Sequence, residues 1–143
     1  MSASLTLREQ SVAILGFDSS VAPLVQFLLK QNAHVKVLDS RTQEQLQKGL
    51  DESQMDLSRV ELQIGELTTK SFEGVQILIA TQYGLRYLTR AIEVAQSMGV
   101  VALSEVEFVS QYIDEESLIC VAGTSGKSMT AHILKTMLEN HGL

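Results

Sequence analysis

Short, nearly all-apolar runs alternate along this chain with stretches whose apolar residues recur at helical spacing. Residues 12–16, Val-Ala-Ile-Leu-Gly, predict a central parallel strand covered on both faces. Val21, Leu24, Val25 and Leu28 then share one helical face. Ser19 and Ser20 stand before it as caps, and Pro23 falls in the first turn, where N–H groups lack intrahelical partners. Residues 35–39 predict a second strand ending on an acid, and residues 42–50 a polar helix. Val60, Leu62 and Ile64 alternate with Glu61 and Gln63, the pattern of a strand with one wet face, near an edge. Residues 75–80 predict another central strand. Leu85, Leu88, Ile92 and Ala95 mark one following helix, which Gly99 ends, and residues 100–103 predict a further short strand. Ser104 and Glu107 form a capping box for a helix that carries Val109 and runs to about Ile113.

Asp114-Glu-Glu-Ser117 is an acidic, polar break and the expected domain boundary. Beyond it, Leu118 to Val121 read as a buried strand, and Ile133, Leu134, Met137 and Leu138 as one face of a final helix. The expected fold class is α/β. It is a Rossmann-like parallel sheet with helices on both faces over residues 11–113, plus a C-terminal strand–loop–helix unit over residues 117–143.

The sequence between that last strand and helix is Gly123-Thr-Ser-Gly-Lys-Ser128, the layout of a phosphate-binding loop. Gly123 and Gly126 let backbone N–H groups approach an anion, and the helix N-terminus points its dipole at the same place. Lys127 adds a positive charge for the terminal phosphates of ATP, and Ser128 a hydroxyl for Mg²⁺. The general pattern wants a glycine five residues before Gly126, and Val121 is there. One strand and one helix cannot bury both faces of the strand, so this unit is expected to dock, to self-associate with a second copy, or to move.

Composition narrows the class. The 143 residues are 45% hydrophobic and 20% charged, with one proline and a net charge of −6. No basic stripe appears, which argues against nucleic acid and anionic membranes as partners. Cys120 is the lone cysteine, expected in the buried strand; it excludes an internal disulfide and fits a reducing, cytoplasmic setting. No secretory signal or membrane-spanning run is present. His34, His132 and His141 show no metal-ligand spacing, and Met129 and Met137 read as helix-face core.

The first strand–helix turn, Gly16-Phe-Asp-Ser-Ser-Val21, keeps one glycine of a dinucleotide-binding fingerprint, so a nicotinamide or flavin dinucleotide is disfavoured. A carboxylate at Asp18 about 4 Å from a phosphate costs roughly 1 kcal/mol in water and about 4 kcal/mol at an interface-like dielectric. Asp18→Gly is therefore expected to tighten binding of a diphosphate there. Asp39 ends the second strand, where such folds hold an acid for a ribose or base.

The order of parts resembles the Mur ligase family, from its N-terminal domain into the start of its central ATPase domain. Four stretches carry the likeness: residues 12–16 with their turn, residues 37–41, residues 99–108 and residues 121–128. The Glu105-Val-Glu-Phe108 helix most resembles the D-glutamate-adding branch. The resemblance implies an ATP-dependent, ADP-forming amide ligase of peptidoglycan synthesis, and through it roles in cell wall biogenesis, cell shape and cell division. Such an enzyme phosphorylates the carboxylate of UDP-N-acetylmuramoyl-L-alanine or a related UDP-sugar, and the amine of D-glutamate attacks the acyl phosphate. It implies ATP and Mg²⁺ as cofactors, with Gly123, Thr124, Ser125, Gly126, Lys127 and Ser128 around ATP, Lys127 catalytic and Ser128 on Mg²⁺.

Ser19, Ser20, Asp39, Ser40 and Arg41 match positions that meet the UDP-sugar in this family. Thr81, Gln82, Tyr83 and Gly84 are expected to line the same concave site. The chain departs from the family at Asp18 and Val21, which replace loop glycines, at Gln82-Tyr83-Gly84, where Ser-Pro-Gly is usual, and at Ser125, where asparagine is usual. The chain holds only the start of such an enzyme, so no turnover is expected from it alone. The alternative reading is a non-catalytic, nucleotide-binding Rossmann-like module.

Overall fold

A computed structural model describes residues 7–17, 21–53, 57–113 and 119–142. The chain falls into two compact units, divided between Tyr112 and Ile113.

The first unit is built on five parallel strands: β1 (Ser11–Leu15), β2 (His34–Asp39), β3 (Val60–Ile64), β4 (Ile77–Ala80) and β5 (Val101–Ser104), in the order β3-β2-β1-β4-β5. β1 is central, flanked by β2 and β4, and β3 is an edge, as the apolar runs predict. The register sets Val12 beside both Val35 and Ile77, so every ladder bond of β1 is internal. Residues 75 and 76 lie outside β4, and β5 starts one residue later than the sequence suggests.

Side chains alternate across the sheet and feed two cores. Val12 and Ile14 of β1 join Val35, Val37, Ile77 and Ile79 on one face, under α1 (Val21–Lys30) and α2 (Gln43–Ser53). Ala13, Leu15, Leu38 and Leu78 face the other way, onto Phe72, Leu88 and Ala95. This two-sided burial follows from the connections. Parallel strands need crossovers, and the right-handed rule sends α1 and α2 to one face and the helical residues between β4 and β5 to the other.

Several expectations need correction. The helix after β4 is two helices, α3 (Gln82–Tyr87) and α4 (Thr89–Ser97). Leu88 breaks them with a non-helical backbone: its N–H closes α3 onto the Gly84 carbonyl, and its own carbonyl opens α4. Leu85, expected on the buried face, is therefore exposed, while Leu88 and Ala95 are buried. The next helix, α5 (Glu105–Ser110), stops short of Ile113; its capping box is present, with the Ser104 N–H donating to Glu107 Oε2 at 2.7 Å and the Glu107 N–H to Ser104 Oγ at 3.2 Å. Its buried anchor is Phe108, not Val109. Phe108 packs edge-on to Phe27 and beside Tyr112, with ring centroids 6.4 and 5.2 Å apart. Thr42 caps α2 in the same reciprocal way through Gln45.

In the second unit the expected strand is absent: Ile119, Cys120 and Val121 are irregular backbone, leading to α6 (Lys127–Asn140). A strand exists only where a neighbour takes its N–H and C=O groups, and none of the described strands pairs with these residues. Cys120 is accordingly exposed rather than buried. On α6, Leu134 and Leu138 are half-buried along a groove of about 380 Å³ that Ile119 and Val121 also line. Ile133, Met129 and Met137 are exposed, against the expectation of a core face. The acidic break and Leu118 lie outside the described residues. Among the described residues, no helix is long and apolar enough to cross a membrane.

Candidate functional site

The strand order reverses between β1 and β4. From β1 the chain steps outward to β2 and β3, then crosses to β4 and β5 on the other side. Open parallel sheets hold their ligands at the carboxyl ends of the strands at such a reversal. Three segments meet there: residues 16 and 17 after β1, residues 39–41 at the end of β2, and residues 81–84 after β4.

Asp39 organises the first two. It is fully buried, and among the described residues its carboxylate accepts four hydrogen bonds. The Phe17 N–H donates to Oδ2 at 2.8 Å, and the Arg41 N–H to Oδ1 at 2.9 Å. The Arg41 guanidinium adds Nε to Oδ1 at 3.0 Å and Nη2 to Oδ2 at 2.7 Å, a two-pronged ion pair. Burial pushes the Asp39 carboxyl up, but these hydrogen bonds and the Arg41 charge outweigh it and hold it below the usual value of 3.8. Arg41 Nη2 also donates to the Phe17 carbonyl, so one side chain ties the β1 and β2 loops together. The guanidinium carbon lies over the Tyr83 ring, 3.9 Å from its centroid, and this reaches the third segment.

The third segment is held against β1 by two glycines. Gly16 sits at φ +85°, where a side chain is strained, and a Cβ there would lie 2.7 Å from Thr81 Oγ1. A Cβ on Gly84 would collide with the Leu15 carbonyl oxygen. Thr81 Oγ1 uses that closeness: it donates to the Leu15 carbonyl at 3.0 Å and accepts the Gly84 N–H at 3.1 Å, capping α3. The N-terminus of α3 is thereby clamped onto the end of β1.

Of the residues expected at this site, Asp39, Arg41, Thr81, Tyr83 and Gly84 are brought together by these contacts. Ser40 and Gln82 are exposed beside them. Ser19, Ser20 and Asp18 lie outside the described residues. Phe17 was missed: its main chain is what Asp39 and Arg41 grip, and nothing in its own residue type signals that.

In the second unit, Gly126 takes a left-handed conformation, φ 77°, immediately before α6, and no side chain caps the helix. Lys127 Nζ donates to the Gly123 carbonyl at 2.7 Å, so the lysine is folded back over the loop. Gly123, Thr124, Ser125, Gly126, Lys127 and Ser128 are all exposed. An uncapped helix start with an ammonium and a hydroxyl beside it is a donor set that suits a phosphate oxyanion. Among the described residues, no group of three or more His, Cys, Asp or Glu is placed to hold a metal ion.

Fold and site together define a doubly wound α/β domain with a polar, charge-clamped crevice at its strand-order reversal. Residues 10–104 match the family described as Mur ligase MurD-like, N-terminal domain, and the chain belongs to it. Among curated proteins, it is 27% identical over 138 residues to a UDP-N-acetylmuramoylalanine–D-glutamate ligase of Caldanaerobacter subterraneus, covering 96% of this chain and 30% of the relative. Ligases of the same name from Clostridium novyi and Acetivibrio thermocellus are 27% and 28% identical, over 95% of this chain and 29% and 28% of theirs. The chain thus spans about 30% of the length of the curated relatives it matches. Among solved structures, Pen from Bacillus thuringiensis aligns over 76% of this chain and 36% of its own, at 14% identity and a TM-score of 0.39, too low to define a shared fold.

Proposed function

We propose that this chain is the nucleotide-sugar-binding portion of an ATP-dependent ligase of peptidoglycan synthesis, one that joins D-glutamate to UDP-N-acetylmuramoyl-L-alanine. The observation that carries the reading is the Asp39–Arg41–Tyr83 cluster at the strand-order reversal of a domain belonging to this family. The aromatic ring and the flat guanidinium form a platform suited to a planar base. Ser40, exposed beside the cluster, offers a hydroxyl for its polar rim. Relatives named as ligases favour this reading over a non-catalytic binding module.

On this reading the domain expected over residues 11–113 binds and orients the UDP-sugar, and residues 117–143 contribute the phosphate loop. When bound, ATP with Mg²⁺ supplies an activated phosphoryl group for the substrate carboxylate. Lys127, now on the Gly123 carbonyl, would place its charge on the phosphates, Ser128 would offer its hydroxyl to Mg²⁺, and the main chain of residues 123–126 would hold the anion. The setting is cytoplasmic, where UDP-sugars and ATP are available.

Calorimetry with UDP-N-acetylmuramoyl-L-alanine tests the reading. Binding should be measurable, and Arg41→Ala should weaken it at least tenfold. Undetectable binding, or binding indifferent to Arg41, would sink it.

A further inference from the structure

A second cleft lies at the opposite, amino-terminal ends of β1, β2 and β3. It measures about 670 Å³, and Arg8, Glu9, Asn32, His34 and Arg59 line it. The size suits a small ligand. It sits one strand length from the crevice described above, roughly 15 Å at about 3.3 Å per residue.

The charge of this cleft runs against that of the chain. The whole sequence carries −6, yet two arginines and a histidine converge here against one acid. The convergence is topological. Arg59 immediately precedes β3, His34 opens β2, and Arg8 stands three residues before β1, so neighbouring strand starts each deliver a basic side chain. Lys36, two residues further along β2, is paired with Glu61 at 2.8 Å, and Arg41 is paired with Asp39. Arg8 and Arg59 have no ion pair or side-chain hydrogen bond among the described residues. Near the end of α1, the Leu28 carbonyl accepts from Gln31 and Ala33, and the Leu29 carbonyl from Asn32.

The backbone adds an independent observation. Glu9 and Asn32 hold left-handed conformations, φ 61° and 58°, and they are the two non-glycine residues with positive φ among those described. The Glu9 N–H donates to the Asn32 carbonyl at 2.9 Å, so the two strained turns are clasped together on the cleft wall. Asparagine tolerates this conformation and glutamate does so poorly; such strain is stored preferentially at binding sites.

We propose that this amino-terminal cleft binds a phosphate-class oxyanion between the guanidinium groups of Arg8 and Arg59, with His34 between them in strand order. Guanidinium forks match the tetrahedral oxyanion in two-pronged geometry, which lysines do not. The ligand is an inorganic phosphate or the phosphate of a small metabolite. It is bound independently of the nucleotide crevice.

The test is a ¹H–¹⁵N NMR titration of the full 143-residue chain with inorganic phosphate, pyrophosphate and glucose 6-phosphate at low ionic strength. Saturable shifts are expected at the amides of Glu9, Asn32, His34 and Arg59. Arg8→Ala and Arg59→Ala should each weaken binding at least fivefold, and Arg59→Lys should recover only part of it. Both arginines are exposed, so the variants should fold, and an unchanged spectrum elsewhere checks this. Adding UDP should leave these shifts in place. Pyrophosphate or inorganic phosphate binding alone points to a free anion, and tighter binding of the sugar phosphate to a metabolite; either supports the site. Shifts that persist in both alanine variants, or no saturable shift at these amides, would overturn it.

Discussion

The guanidinium carbon of Arg41 stands 3.9 Å from the centre of the Tyr83 ring, joining the end of β2 to the start of α3 across the position where the strand order reverses. Its N–H edge is held by Asp39 and the Phe17 carbonyl. Removing the ring should cost about 0.5–2 kcal/mol of stability, the range for a partly desolvated cation–π contact. A thermal or urea double-mutant cycle of Tyr83→Ala with Arg41→Lys measures this. Additive losses would mean that the two groups merely lie close.

Asp39 gives a pH signature. Its folded-state value is lowered, so the stability it contributes is present above its unfolded value near 3.8 and is lost as pH falls through the lower folded value. The wild type should therefore lose stability as pH drops below about 4. Asp39→Asn should be destabilised by about 3 kcal/mol at pH 7, because an amide cannot accept all four bonds and leaves Arg41 without its counter-charge. The gap between the two proteins should close toward low pH. A constant gap from pH 7 to pH 2 would show that ionised Asp39 contributes nothing.

The two glycines of the crevice should respond unlike others. Gly84→Ala drives a methyl into the Leu15 carbonyl, main chain that cannot move aside. A loss of about 3 kcal/mol or more, or failure to fold, is expected. Gly74 has positive φ, 75°, as Gly16 does and Gly84 does not, but nothing lies within 4 Å of a Cβ there. Gly74→Ala should cost only about 1 kcal/mol, from backbone strain. Equal losses in denaturant melts would contradict the clamp between α3 and β1.

The second unit exposes Ile119 on the groove beside α6, and Ile133 and Met137 elsewhere on that helix, each more than half open to solvent. Exposed apolar surface of this kind favours association. Light scattering should show the mass rising with concentration, and Ile133→Glu should return it to a single chain. Monomer mass throughout would refute self-association.

Purified alone, the chain should hydrolyse no ATP, with or without Mg²⁺. Affinity and phosphoryl transfer need more metal ligands and a base pocket than the loop at residues 123–128 supplies. Turnover abolished by Lys127→Ala would prove the opposite.

The five-strand parallel sheet was legible in the chain because a strand buried on both faces must be apolar at every position, and residues 12–15 and 77–80 are. The edge position of β3 was legible for the converse reason, its alternation of Val60, Leu62 and Ile64 with polar residues. Asp39 stood out as an acid at a strand end, and Arg41 and Gly84 through the family resemblance. Tertiary structure alone decided what they do. Asp39 is buried and ionised because the Phe17 N–H, 22 residues away, donates to it. Gly84 is required because the Leu15 carbonyl occupies the space of a side chain. Phe108 became the anchor of α5 because Phe27 and Tyr112 surround it. The apolar run at residues 119–121 carries the same local signature as β1, yet it forms no strand. Periodicity records which faces a segment can bury, whereas a strand, a buried carboxylate and a glycine contact each need a partner distant in the chain, and only folding supplies or withholds it.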